Sequence, residues 1–241
     1  MKKWTTTNGM IIYQVLMGRS NSFLVSSNDN FMLIDTGRSS SWGKLSTNLD
    51  EILGENKLFC LILTHTHFDH TENAAKIKEK YESKIIVHKN EAAYLENGKS
   101  PLPKGTNILT KILINSIGKK MESRYSYEST HFDILVDEKF DLNVFGFQAY
   151  ILHTPGHSSG SISIIIDDEL AIVGDAMFGV FKWSIFPPFA DNVQLMTESW
   201  EKLLKTNCST YLPGHGAEIS LNLLKKQFFK YNNNNNDLIQ K

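Results

Sequence analysis

The chain has 241 residues, of which 41% are hydrophobic and 21% charged, so it can bury the core of one domain and lacks the polar excess of a disordered chain. Its 25 basic side chains nearly balance 26 acidic ones, which argues against nucleic acid as the default partner. No apolar stretch reaches 18 residues, so no membrane-spanning helix is predicted. Cys60 and Cys208 form no metal-binding pair and are too few for a disulfide scaffold, which favours a reduced, cytoplasmic protein.

Short apolar runs bounded by turn residues predict strands along most of the chain. They fall at residues 10–16, 22–25, 31–34, 58–64, 84–88, 132–136, 147–153, 161–166, 170–173 and 210–212. Helical composition or spacing occurs at residues 71–81, 91–97, 192–206 and 219–229. Strands and helices alternate throughout residues 1–231, which we interpret as a single domain.

The pattern changes between residues 101 and 127, where Ile108, Ile112 and Leu113 fall at helical spacing after a proline-rich lead-in. We expect an amphipathic helical insertion here, either a lid over a site or a helix packed on the domain. The low-complexity segment at residues 232–241, which begins with five asparagines, predicts a frayed tail.

The densest group of ligand-type residues lies at residues 64–71, Thr-His-Thr-His-Phe-Asp-His-Thr, directly after an apolar strand. In extended chain His65 and His67 point the same way, so both can reach one metal ion. Asp69 and His70 project differently as the chain turns into a helix, and can bind a second ion. The positive end of that helix favours a neutral, ligating His70.

Three further ligand-type residues each follow an apolar run, and each lies next to a glycine that gives the backbone room to approach an ion. They are His157, Asp175 and His215. We expect His65, His67 and His157 at one metal position, Asp69, His70 and His215 at the other, and Asp175 as a bridge. Two ions about 3.5–4 Å apart lower the pKa of a shared water and polarise a substrate oxygen, which predicts hydrolytic chemistry.

The His-x-His-x-Asp-His motif at residues 65–70, followed by His157, Asp175 and His215, resembles the signature of the metallo-β-lactamase superfamily. The resemblance runs from about residue 31 to residue 216. It includes Asp35, whose equivalent supports the metal loop in that family. The resemblance implies an α/β fold, an αββα sandwich of two mixed sheets with outer helices. It also implies two divalent metal ions, with zinc as the expected metal and iron or manganese as alternatives.

Within the superfamily, residues 154–157 and 174–178 resemble glyoxalase II and the persulfide dioxygenases. Glyoxalase II adds a helical C-terminal domain, whereas only a short segment follows His215 here. Acyl-homoserine lactonases are similar in length and metal set, but carry a catalytic tyrosine where this chain has Phe178. Asp175 argues against penicillin hydrolysis, because the antibiotic-hydrolysing members have cysteine there or lack the bridging aspartate.

The loop after Asp175 is rich in aromatic rings, and we expect part of it to line an apolar substrate pocket. The pocket candidates are Phe178, Phe181, Trp183 and Phe186. The alternative is that these rings pack on the insertion or form a contact between copies of the chain. Three isolated histidines, His88, His131 and His153, are assigned hydrogen-bonded structural roles.

The leading hypothesis is a dinuclear metallohydrolase in which a metal-bridging hydroxide attacks an ester, thioester or lactone carbonyl of a small-molecule substrate. Asp69 or Asp175 then moves a proton to the leaving group. The second hypothesis is a mononuclear iron persulfide dioxygenase using His65, His157 and Asp175. The neutral charge weakens a nuclease assignment, and the complete ligand set weakens a noncatalytic metal-binding module. Nucleic acid and membranes are not expected partners, and a homo-oligomer stays open.

Overall fold

The computed structural model of the chain describes residues 1–100, 102–121 and 125–239, and it contains two β-sheets. The first sheet has seven strands that follow chain order. They are Lys3–Thr5 (β1), Ile11–Leu16 (β2), Ser22–Ser27 (β3), Asn30–Ile34 (β4), Leu58–Ile62 (β5), Lys84–His88 (β6) and Ile134–Val136 (β7). The pairs from β1 to β4 are antiparallel, and those from β4 to β7 are parallel.

The second sheet has six strands in the order β13-β12-β11-β10-β9-β8. They are Lys139–Asp141 (β8), Ala149–His153 (β9), Ile162–Ile166 (β10), Leu170–Gly174 (β11), Thr210–Pro213 (β12) and Ile219–Ser220 (β13). Only β11 and β12 pair in parallel, so this sheet is also mixed.

Helices cover the outer faces of both sheets. The helices of the described residues are Trp42–Leu53 (α1), Phe68–Thr71 (α2), Ala74–Tyr81 (α3), Ala92–Asn97 (α4), Ile108–Met121 (α5), Val193–Leu204 (α6) and Leu221–Ile239 (α7). The buried side chains of α1, α3 and α4 pack with the outer face of the first sheet. Those of α6, with Leu224 of α7, pack with the outer face of the second. The predicted αββα sandwich is therefore confirmed.

The main core lies between the two sheets, where alternate residues of each strand point inward. Phe23, Ile34 and Ile62 of the first sheet meet Ile151 and Ile164 of the second, and all five are buried. Burying one such side chain contributes about 1.5–3 kcal/mol, so this layer holds the sheets together and gives the loops at their edge a rigid base.

Strand direction brings the ligand-type residues to one edge of the sandwich. Because β4, β5 and β6 are parallel, Asp35, the segment after β5 and Glu91 follow them at the same edge. In the second sheet β9, β11 and β12 run the same way, so His157 and Asp175 follow their strands at a common edge. The carboxyl ends of the strands therefore face each other across the sandwich.

The structure differs from the predicted elements in a few places. α1 was not predicted, although Leu45, Leu49 and Leu53 repeat every four residues and are buried. The predicted helix at 71–81 begins only at Ala74, as α3, and the short helix α2 ends at Thr71. The two are separate because Asn73 leaves the helical path, and its side-chain amide donates to the carbonyls of Thr36 and Arg38, 2.9 and 2.8 Å away.

Near the C-terminus, the predicted helix at 219–229 begins only at residue 221, after the short strand β13, and continues through Ile239. The segment predicted as a frayed tail is therefore helical over residues 232–239, and its last two residues lie outside the described chain. Among the described residues, no helix is both long and apolar enough to cross a membrane.

Candidate metal centre

The seven predicted ligand residues meet at the edge where the strands end. His65, His67 and His157 place one ligand atom each within 4.8 Å of one another, and so do Asp69, His70 and His215. These are the two groups that the spacing predicts. A third overlapping group consists of His65, His70 and Asp175. The centre therefore has two adjacent sets of donors that share residues.

Asp175 lies between the two sets. Its Oδ2 atom is 3.6 Å from Nε2 of His157 and 3.3 Å from Nε2 of His215, while Oδ1 is 3.4 Å from Nε2 of His70. One carboxylate thus faces ligand atoms of both sets, which is the placement expected of a bridging ligand.

Two atoms at the centre show that the donors fit a cation. Nε2 of His65 and Oδ1 of Asp175 are buried and have no hydrogen-bond partner among the described residues. A buried polar atom without a partner costs about 1–3 kcal/mol, and a metal ion would relieve that cost. Imidazole and carboxylate donors are those that divalent transition metals take in proteins.

The electrostatics of the centre differ between its two sets. Burial lowers the pKa of His67 to about 3, with His157 adding to the effect, and burial also holds the pKa of His65 well below its usual range. Burial opposes charge on His215 as well, but Asp175 and Asp69 outweigh it and raise the pKa of His215 to about 11. His65 and His67 therefore stay neutral, whereas the carboxylates of the other set favour a protonated His215.

Without a metal ion, the carboxylates around His70 outweigh the helix end that is expected to favour a neutral, ligating ring. Burial favours the neutral ring, but Asp175, Asp35 and Asp69 outweigh it and raise the pKa of His70 to about 9. The helix α2 has only four residues, so its dipole is small beside three carboxylates. A metal ion must displace this proton, which makes metal binding depend on pH.

Residues outside the two donor sets form hydrogen bonds that fix the orientation of the imidazole rings. Asp35 accepts from Nδ1 of His70 at 2.8 Å and from the amide and hydroxyl of Thr64 at 2.8 and 2.7 Å. The Thr64 hydroxyl lies 3.0 Å from Nδ1 of His65. Nδ1 of His157 lies 2.9 Å from the carbonyl of Phe189, which leaves Nε2 facing the centre. Asp35 thus has the supporting position that the resemblance implies.

A glycine next to His215 permits the close approach of two chain segments. A Cβ atom at Gly214 would collide with Oδ1 of Asp175 and Cε1 of His70. The backbone of the loop after β12 therefore passes directly beside the donors, which only a residue without a side chain allows.

A cavity of about 190 Å³ opens over the donors. His67, Asp69, His157, Asp175 and His215 contribute to its floor. The remaining lining residues are mostly apolar: Phe68, Pro103, Tyr125, Phe178, Pro187, Pro188 and Phe189. Tyr125 is the exception, because its phenol supplies a hydrogen-bond donor in this wall.

The four aromatic residues predicted to line the substrate pocket lie in three different environments. Of these four, only Phe178 lines the cavity. Phe178 lines the cavity and its ring lies 5.1 Å from that of His215. Phe181 and Trp183 are 49% and 73% exposed and do not line this cavity. Phe186 turns to the outer helices instead, where its ring stacks 4.5 Å from that of Tyr231.

The insertion contributes to the site through its ends. Pro103 and Tyr125 line the cavity, and the Thr106 hydroxyl lies 2.9 and 2.8 Å from the carbonyls of Pro187 and Pro188. On α5 between them, Ile108, Leu109 and Ile112 are exposed. These three side chains are therefore not buried against the rest of the domain. The side chains of Leu113, Ile117 and Met121, with the whole of residues 101 and 122–124, lie outside the described part.

The other three histidines lie apart from the donors. His88 and His153 stack with their ring centroids 4.1 Å apart, and His153 lies 3.1 Å from Oε1 of Glu138 and 3.0 Å from the Ser159 carbonyl. His131 is exposed beside Glu96, at 3.3 Å. None of the three belongs to the donor groups found among the described residues.

Sequence reasoning missed several residues of the site. Glu91 and Asn21 are buried and bind the loops that carry the donors, and Tyr125, Pro103 and Phe189 line the cavity. Glu91 and Asn21 stand alone in the sequence, with no motif around them, so no local signal distinguishes them. Tyr125 has a weak signal, because it lies near the end of the insertion predicted at residues 101–127.

The chain belongs to the metallo-β-lactamase superfamily, whose family model matches residues 16–215. A probable metallo-hydrolase of Methanocaldococcus jannaschii is 31% identical to it over 203 residues, which is 82% of this chain and 87% of that protein. A probable metallo-hydrolase of Bacillus subtilis, YqgX, is 27% identical over 83% of this chain and 86% of its own length.

Among solved structures, the B3 metallo-β-lactamase BLEG-1 superposes with a TM-score of 0.68 at 20% identity, covering 90% of this chain and 97% of its own. At 20% sequence identity, this structural similarity shows that the two proteins share a fold. The relatives, the fold and the His/Asp groups together support a metallo-hydrolase that holds divalent metal ions.

Proposed function

We propose that the protein is a dinuclear metal-dependent hydrolase acting on an ester, thioester or lactone of a small molecule. The observation that carries the proposal is the arrangement of seven donors as two sets joined by Asp175, at the floor of a cavity with apolar walls. A cavity of about 190 Å³ suits a small substrate or one end of a larger one. A hydroxyacylglutathione hydrolase of Rhodopseudomonas palustris is 25% identical over 150 residues, which is 62% of this chain and 43% of that protein.

Each part of the chain has a defined task in this proposal. His65, His67 and His157 would hold one ion, Asp69, His70 and His215 the other, and Asp175 both. When bound, divalent ions at these positions lower the pKa of a water molecule and polarise a carbonyl oxygen. Zinc is the proposed metal, because imidazole and carboxylate donors suit it, and iron and manganese accept the same donors.

Asp69 is well placed to carry a proton. Burial would raise its pKa, but His70 and His215 outweigh burial and lower the pKa of Asp69 to about 2, so the carboxylate is ionised at neutral pH. It lines the cavity and lies 3.3 Å from Nε2 of His215. Asp175 also stays ionised, because His215, His70 and His157 hold its pKa well below its usual range in spite of burial. Either carboxylate can accept a proton and deliver it to the leaving group.

The walls of the cavity indicate what the substrate presents to them. Phe178 and Phe189 with the prolines beside them exclude water and favour an apolar group next to the scissile bond. The phenol of Tyr125 offers a hydrogen bond to a polar atom of the substrate. A cytoplasmic location is also proposed, because Cys60 and Cys208 are buried and unpaired.

The test is turnover of ester, thioester, lactone and phosphodiester panels by zinc-loaded protein, compared with His67→Ala, Asp175→Ala and the exposed-site control His131→Ala. We expect hydrolysis in the carbonyl panels, its loss in the first two variants and full activity in the control. Full activity in either site variant would contradict the proposal. One iron per chain that is insensitive to His70→Ala, with oxygen uptake on glutathione persulfide, would replace it by the dioxygenase.

A further inference from the structure

A buried carboxylate ties together the two loops that supply the all-histidine set. Glu91 is 1% exposed and lies at the start of α4, at the same edge as the donors. Its Oε2 atom accepts hydrogen bonds from the amide of Thr66, at 3.0 Å, and from the Thr66 hydroxyl. Because Thr66 stands between His65 and His67, this oxygen fixes the segment that carries both ligands.

The other oxygen of Glu91 binds the second loop. Oε1 accepts from the hydroxyl of Ser158 at 2.7 Å and from the amide of Gly160 at 3.1 Å. Ser158 follows His157 directly, so the third ligand of the set is held by the same side chain. Four hydrogen bonds to one buried carboxylate, divided evenly between two loops, set the separation of those loops.

Asn21 has the corresponding place at the other donor set. It is 2% exposed, and its side-chain amide donates to the carbonyls of Pro213 and Gly216, at 2.9 and 3.0 Å. Its backbone amide donates to the carbonyl of Gly214 at 2.7 Å. These three carbonyls surround His215, so Asn21 clamps the loop that presents that ligand.

Two neighbours complete this second clamp. The hydroxyl of Ser20 donates to the carbonyl of Asp69 at 2.6 Å, which attaches a second ligand of the set to the same segment. The side-chain oxygen of Asn21 accepts from Nε2 of Gln14 at 2.9 Å, which fixes the orientation of its amide. The segment 20–21 therefore contacts Asp69 and the His215 loop, and Glu91 contacts the loops of the other set.

We propose that Glu91 and Asn21 are positioning residues, each dedicated to one metal position: Glu91 to His65, His67 and His157, and Asn21 to the set that contains Asp69 and His215. A metal site tolerates errors of only about 0.2 Å in its ligand distances, so loosening one clamp weakens one site. The inference rests on the dinuclear function proposed above. It adds that the two affinities are set by separate parts of the fold.

The experiment is calorimetric titration of zinc into metal-free protein, with Glu91→Gln, Asn21→Ala and the control Glu96→Gln. Glu96 is an exposed acid on the same helix as the clamp, paired only with the exposed His131 in the described structure. We expect two zinc ions per chain in the parent and the control. Glu91→Gln and Asn21→Ala should each weaken the affinity for one zinc ion by about 10–100-fold and leave the affinity for the other ion unchanged.

Double variants assign which position has weakened. Adding Glu91→Gln to His67→Ala, which has already lost the all-histidine position, should not change the remaining affinity. Adding Glu91→Gln to His215→Ala should weaken it by the full 10–100-fold. For Asn21→Ala the expectation is the reverse. Added to His215→Ala it should not change the remaining zinc affinity, whereas added to His67→Ala it should weaken that affinity by about 10–100-fold. Equal weakening of both positions, or of neither, overturns the inference while the dinuclear site stands.

Circular dichroism and thermal unfolding of the metal-free variants separate positioning from folding, because a positioning role leaves the metal-free protein folded. Should Glu91→Gln not fold, Thr66→Val and Ser158→Ala each remove one hydrogen bond to Glu91, and each should weaken the same position by a smaller factor. A parent protein that binds fewer than two zinc ions contradicts the proposed function, and the inference with it.

Discussion

Nδ1 of His70 lies 2.8 Å from Oδ2 of Asp35, although 35 positions separate the two residues in the chain. Both residues are buried, and the same carboxylate also holds Thr64. Asp35 has a positive φ of 58°, a conformation in which asparagine and aspartate are the most readily accepted non-glycine residues. The chain thus accepts an uncommon backbone conformation where a carboxylate must face a metal ligand.

Replacing Asp35 by Asn tests this pair with little change of shape or backbone preference. We expect about 10–100-fold weaker zinc binding, because an amide no longer offers a charged acceptor to Nδ1 of His70. Zinc titration measures the loss. The exposed variant Asp29→Asn serves as control, and equal affinities in the two variants would show that the carboxylate does not support the ligand.

Substituting Gly214 by Ala should damage the centre. The added methyl group meets Asp175 and His70, so the two ligands must move apart, and we expect turnover and zinc affinity to fall at least about tenfold. Gly43 in α1 is the matched control, because a Cβ there meets nothing within 4 Å. Gly43→Ala should leave activity unchanged and stabilise the helix by up to about 1 kcal/mol. Equal activities of the two variants would exclude the steric argument.

The sequence predicts that these seven side chains lie together, as the structure places them, because their signals are local. His65 and His67 alternate on an extended segment, Asp69 and His70 follow in the turn into a helix, and His157, Asp175 and His215 each follow an apolar run that contains a strand. The sandwich itself came from the resemblance, and the structure confirms it. What local patterns cannot supply is which distant segments meet.

Glu91 illustrates that limit, because a single acid before a helix is most often solvent-exposed, and the four groups that donate to it lie on two other loops. The aromatic loop illustrates it too. Phe178 and Phe186 are equally apolar in sequence, but the first faces the donors and the second faces Tyr231. Only the path of the loop decides between them.

The stacked pair of His88 and His153 predicts a pH effect on stability. Burial lowers the pKa of His88 to about 4, and His153 and Lys89 add to this, whereas Asp137 and Glu138 oppose it. Since an unfolded histidine has a pKa near 6.5, the unfolded chain binds the extra proton first as the pH falls. The contribution of neutral His88 is therefore complete above about pH 6.5 and is lost between that pH and about 4.

Denaturant unfolding from pH 7 to 4 measures this loss. His88→Gln should decline less steeply than the parent over that interval, by about 1–3 kcal/mol in total. His131→Gln, in which the replaced ring is exposed, should follow the parent curve. Parallel curves for the parent and His88→Gln would contradict a depressed His88 pKa.

Removing metal should destabilise the protein, since buried donors such as Nε2 of His65 then lack a partner in the described structure. An ion held only by the folded chain stabilises it by about 2.7 kcal/mol when its free concentration is 100 times Kd. Thermal unfolding before and after chelation should show a drop in Tm that added zinc reverses. An unchanged Tm would mean that these residues bind no ion.

Anomalous diffraction from crystals grown with zinc tests the dinuclear centre, because it locates the ions without reference to activity. A dinuclear centre predicts two anomalous peaks about 3.5–4 Å apart, one among His65, His67 and His157, the other among Asp69, His70 and His215, with Asp175 between them. A single peak, or peaks away from these residues, would contradict a dinuclear centre.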